Sequence, residues 1–153
     1  MLTRRERTEV LVESGSALAL ELASLVEADT PAWDIVPAHQ GLVMCQVRET
    51  ARNSRFYLSE VLVTESRVRI GEADGLGVLM GTDAAHARAL AVIDAAYAME
   101  QAPACMVELE RRIEEARVAV SERMVAQDAR TYVSRVEFDE MSGQDMSVQA
   151  VVK

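Results

Sequence analysis

Aromatic side chains make up only 4% of this 153-residue chain, so its core has to be assembled from Ala, Val, Leu, Ile and Met. Lysine is nearly missing. Lys153 is the only one, and the remaining positive charge is arginine, whose planar fork suits carboxylates, phosphates and interface ion pairs. Basic charge is in deficit overall: the net charge of −9 argues against nucleic-acid binding, which needs a concentrated basic surface to release counterions. The two cysteines, Cys45 and Cys105, lack a CxxC partner or a nearby His, so zinc-ligand spacing is missing and free thiols are expected. No apolar run approaches the roughly 18 residues of a membrane span, because Glu21 interrupts 17–26, and no secretory segment is visible. A cytoplasmic protein is the expectation. P-loop, GxGxxG, HExxH and GxSxG patterns do not occur, which removes the common phosphate-cradling, dinucleotide and hydrolase signatures.

Periodicity predicts a single α+β domain over 1–153, with an antiparallel sheet of about four strands, N-terminal helices and two C-terminal helices. Thr3-Arg4-Arg5-Glu6 has the form of a capping box and opens a short helix to about Glu13, which as residues 1–14 stands as a peripheral element. After Ser14-Gly15, a second helix with Ser16 as N-cap carries Leu18, Leu22, Leu25 and Val26 on one stripe. The period then turns towards two. Residues 33–36 read as a first strand, placed at an edge by Pro37, and 41–48 as a second. A long strand covers 55–70, with Phe56, Leu58, Leu62, Thr64, Ser66, Val68 and Ile70 on one face and Glu65, Arg67 and Arg69 on the other. A connection at 71–75 leads to a return strand with Leu76, Val78 and Met80, where Gly77 and Gly81 invite close approach by another backbone.

Asp83 caps a third helix running to about Gln101, with Leu90, Ile93, Ala96 and Tyr97 as its buried stripe. Pro103 fits the first turn of a fourth helix, where Met106, Leu109, Ile113, Ala116 and Val120 recur at helical spacing and would dock on a core or on another subunit. Arg123 and Gln127 stop that stripe before it becomes a coiled coil. Residues 131–138 read as β-prone and amphipathic, and 142–153 as a flexible tail.

Candidate chemistry is sparse. His39, in an expected loop, and His86, in the first turn of the third helix, have no Cys, Ser or second His nearby to complete a catalytic constellation. Arg48, Arg52, Arg55, Arg67 and Arg69 would form a cradle for a triphosphate or an acidic partner if the strands brought them together; otherwise they lie on a solvated sheet face. Glu137, Asp139 and Glu140 form an acidic cluster of the kind that binds magnesium, though solvated carboxylates are the commoner use. No catalytic, cofactor-binding or metal-ligating residue is assigned. The face and stripe that stand ready for a partner are Arg48, Arg55, Arg67 and Arg69 on the strands and Met106, Leu109 and Ile113 on the fourth helix.

Gly41-Leu42-Val43, followed by the run from Arg55 through Phe56, Tyr57 and Leu58 to Val68, resembles the G-subunit family of the carbon-phosphorus lyase core complex. The likeness continues in order through Gly75-Leu76-Gly77, Gly81-Thr82-Asp83, His86-Ala87, Ile93-Asp94-Ala95 and Ser134-Arg135-Val136-Glu137-Phe138, covering roughly residues 15–145. Thr82 stands where the family pattern has Arg. The resemblance implies a non-catalytic subunit that joins H, I and J subunits in a symmetric core. With the I, H and L subunits it would be required to exchange the adenine of ATP for a phosphonate, giving a ribose 1-phosphonate 5-triphosphate. It implies that the displacement chemistry belongs to the I subunit, the most direct partner, and carbon-phosphorus cleavage to J. ATP would be a substrate of the assembly, and no cofactor would be held by this chain. The alternative from the residues alone is a free-standing homodimeric module that binds a small phosphate-type ligand on its arginine-bearing sheet.

Overall fold

The computed structural model describes residues 2–49 and 52–133, and its architecture is α+β. Four helices, α1 (Arg4–Glu13), α2 (Ser16–Asp29), α3 (Ala84–Ala98) and α4 (Met106–Val133), accompany three strands, β1 (Trp33–Arg48), β2 (Arg55–Ile70) and β3 (Ala73–Met80). The strands form an antiparallel sheet in the order β1-β2-β3. Three strands replace the expected four because 33–36 and 41–48 are parts of one strand. Pro37 is accommodated at the sheet edge among register shifts between Asp34 and His39, where a missing N–H breaks no ladder into the sheet interior. His39 consequently lies in β1 across from Glu65 rather than in a loop.

All the described helices lie to one side of the sheet. The sheet's inner face presents Thr64, Ser66, Val68 and Ile70, all buried, to α3. Helix α3 is almost entirely enclosed, since α2 and α1 pack on it from the other side. Gly75 and Gly77 allow its approach to β3: a Cβ on Gly75 would stand 2.0 Å from the Ala91 carbonyl oxygen, and one on Gly77 2.0 Å from that of Ala87. Because the glycines occupy the inward positions, Leu76, Val78 and Met80 point outward, away from the core. The turn into β3 takes only Gly71 and Glu72, with Gly71 at φ 57°.

Local signals act as expected at the helix starts. The Thr3–Glu6 capping box is formed, and Asp83 Oδ1 accepts from the His86 backbone N–H at 2.9 Å. Gly15, not Ser16, is the N-cap of α2; its φ of 85° lets the chain turn sharply between the two helices. Helix α1 is integral rather than peripheral, because Arg7, Val10 and Leu11 are buried. Pro103 precedes α4, accepting a turn bond from the Met106 N–H. Residues 131–133 continue α4 as helix, not strand; 134–138, the acidic cluster Glu137, Asp139 and Glu140, and the expected tail at 142–153 lie outside the described residues.

A buried charge cluster ties the layers together. The Asp94 carboxylate on α3 accepts from Arg4 Nε at 2.8 Å, from Arg7 Nη2 at 3.3 Å and from the Leu76 backbone N–H at 3.0 Å. Arg7 also stacks on Tyr97, 3.7 Å from the ring centroid. One carboxylate thus joins α1, α3 and β3.

Candidate functional site

Among the described residues the sheet has helices on one face only, and its outer face is built row by row across the strands. Val36, Arg67 and Leu76 form one row; His39, Glu65 and Val78 a second; Gly41, Val63 and Met80 a third. Met80 is 75% exposed, with Leu76 and Val78 partly so. Arg67 pairs with Glu65 at 3.3 Å, and Arg69 makes a two-pronged pair with Asp74 at 2.6 and 3.0 Å. Hydrogen bonding to Arg69 holds the Asp74 carboxyl below its ordinary range, and the Asp74 bond raises Arg69 in return. Near neutral pH, both members of the Arg69–Asp74 pair are therefore charged.

Beyond this face the hairpin continues alone. Strand β3 ends at Met80, opposite Val63, so among the described residues 42–48 and 55–61 form a two-stranded arm about 23 Å long with no third strand beside it. Leu42 (63% exposed) and Leu58 (62%) are open to solvent, as are Met44, Phe56 and Tyr57. The expected single stripe on β2 is therefore divided: Thr64 to Ile70 are core, whereas Phe56, Leu58 and Leu62 continue its parity onto the exposed arm.

The five arginines do not converge. Arg48 and Arg55 face each other at the arm's tip, and Arg48 donates to Asn53 Oδ1 at 3.1 Å. Arg67 and Arg69 lie at the other end of β2, about 40 Å from Arg55 at extended-strand spacing. A single triphosphate cannot bridge that distance. On the helical side, Leu109 and Ile113 are closed in the chain's own core with Met106 half-buried beside them, which removes this stripe from a partner surface. A helical apolar stripe looks the same in sequence whether it docks internally or on another chain.

A cleft of about 540 Å³ between α1, α3 and α4 is lined by Glu6, Tyr97, Glu110, Glu114 and Arg117. Two of its carboxylates favour the charged state: the Thr3 backbone N–H lowers Glu6, and Arg117, 2.6 Å away, lowers Glu114. Such groups hold no proton to donate near neutral pH and, as stabilised anions, are weak bases. His86 is buried with Nε2 lacking a hydrogen-bond partner among the described residues, and His39 is exposed with Nδ1 3.2 Å from the Pro37 carbonyl oxygen. No helix among the described residues is long and apolar enough to cross a membrane.

Among the described residues, stacked helices on one sheet face, an open and partly apolar face opposite and an exposed hairpin arm define an α+β protein. A family model described as phosphonate metabolism protein PhnG matches residues 2–143. The chain belongs to that family, and so to phosphonate metabolism. No curated protein matches it closely.

Proposed function

We propose that this chain is a non-catalytic subunit of the carbon-phosphorus lyase core complex in the cytoplasm. It would be required with I, H and L subunits to transfer the ribose triphosphate moiety of ATP to a phosphonate, and would sit with H, I and J in the core. ATP is then a substrate of the assembly, with no cofactor held by this chain. The observation carrying this reading is the open outer face of the sheet, where Leu76, Val78 and Met80 are exposed around Arg67 and Arg69. Family membership supplies the metabolic setting. The binding-module alternative is disfavoured by the separation of the arginines along β2.

Displacing adenine requires stabilising a developing oxocarbenium-like ribose and assisting a poor leaving group, which calls for positioned acids or metal ions in a closed site. The chain alone is therefore expected to release no adenine from ATP and methylphosphonate, measured by chromatography. Adding it to the I, H and L subunits is expected to raise adenine release at least about a hundredfold, equal to about 2.7 kcal/mol of barrier. His39→Asn should leave that rate within about tenfold. Adenine from the chain alone, abolished by His39→Asn, would make it an enzyme.

A second consequence concerns Arg67 and Arg69. Reversing both to Glu is expected to weaken co-purification with the I subunit while costing about 1–2 kcal/mol of stability. Two exposed ion pairs are lost, and Glu is set beside Glu65 and Asp74. Loss of the circular-dichroism signal of the fold would contradict their placement on the outer face.

A further inference from the structure

We infer that the arm at 42–48 and 55–61 inserts into an apolar slot on a different subunit, with carboxylates on that subunit meeting the arm's tip. This rests on the subunit reading and specifies how docking occurs. The shaft is largely apolar and wide open: Leu42, Met44, Tyr57 and Leu58 are all more than half exposed, 41–47 contains no charged residue, and Glu60, across from Met44, is the one charge on 56–61. An isolated two-stranded hairpin is marginal in water, so a ribbon of this length needs a surface to pack against. The tip differs in character. Residues 48–55 hold three arginines and one glutamate on a chain whose net charge is −9, which concentrates positive charge at the arm's end.

Area and charge select the occupant. A standard interface engages about 20–30 residues a side, and the arm together with the outer-face residues around Leu76 and Met80 is of that size. A second copy of the chain would bring two strongly acidic bodies together. A foreign surface carrying carboxylates complements the tip without that repulsion.

The test co-expresses the full-length chain with the I, H and J subunits and measures retention and affinity for wild type, for Leu42→Glu/Leu58→Glu and for Arg48→Glu/Arg52→Glu/Arg55→Glu. Both variants are expected to bind at least about a hundredfold more weakly, and the tip variant is expected to lose most of the salt dependence of association. Circular dichroism checks that each variant is folded. Independently of any substitution, hydrogen exchange on the wild-type complex should show backbone amides of 42–48 and 55–61 protected relative to the free chain. If wild type does not associate, the subunit reading falls and the arm's role with it. If wild type associates while both variants hold as tightly and the arm stays unprotected, only the arm's role falls. A wild-type homodimer that the arm variants dissolve would make the occupant a second copy and overturn the inference. So would binding of inorganic triphosphate that depends on the tip arginines while assembly does not.

Discussion

Gly77→Val is expected to cost at least about 3 kcal/mol, enough to leave a domain of ordinary stability largely unfolded at 37 °C. The added Cβ alone would lie 2.0 Å from the Ala87 carbonyl oxygen and 2.6 Å from the Ala91 nitrogen, both backbone atoms of α3. No rotamer relieves such a clash; the helix must lift from the sheet. Lifting α3 would also separate it from Val68 and Ile70, which are fully buried beneath it. Gly41→Ala is the control, because a Cβ there meets nothing within 4 Å, and it should shift stability by no more than about 0.5 kcal/mol. Urea titration of the two variants reads the difference. Equal stabilities would mean that α3 does not lie against β3 at these glycines.

Asp94→Ala is expected to lower stability by about 3–5 kcal/mol, the usual cost of breaking a buried ion pair from one side. Arg7 is buried and would keep only its stacking on Tyr97, while the Leu76 N–H would lose its acceptor. Arg4, whose side chain is largely exposed, can return to water, so Arg4→Ala should cost about 1 kcal/mol or less. Thermal or urea unfolding of the two variants separates these values. A loss below about 1 kcal/mol for Asp94→Ala would show that α1 is held by its apolar contacts with Val10 and Leu11 alone.

Elements specified by nearby residues were legible in the sequence. The Thr3 and Asp83 caps, the end of α1 at Glu13 and both ends of β2 follow from hydrogen-bonding side chains and from an uninterrupted alternation. What escaped depended on distant parts of the chain. Pro37 marked an edge strand, but that the strand passes through it and joins 33–36 to 41–48 depended on the register shifts against β2. Leu76, Val78 and Met80 look like a core face until α3 is known to take the opposite side, against Gly75 and Gly77. The end of α4's apolar stripe near Val120 marks where packing stops, not where the helix stops; residues 121–132 are exposed and helical, as their good intrinsic formers allow. Asp94 carried one usable signal, a carboxylate inside the apolar run from Leu90 to Ala98.

The candidate surface was legible only in part. Strand alternation placed Arg67 and Arg69 on a common face, and the structure puts both in exposed ion pairs, Arg67 on the open outer face. Their grouping with Arg48 and Arg55 required the strand's length, which separates the two sets along β2. Leu109 and Ile113 were ambiguous by nature, since burial against α1–α3 and burial against a partner demand the same stripe.

As a subunit, this chain would complete its surface on another chain of the assembly. The most direct test is the mass, by light scattering after size-exclusion chromatography, of the particles formed when the chain is co-expressed with the I, H and J subunits. A single complex containing this chain in fixed stoichiometry is expected, and a polydisperse or poorly soluble chain when it is expressed alone. A chain that elutes by itself as one discrete species, with a cooperative melt that the other subunits leave unchanged, would contradict the subunit reading.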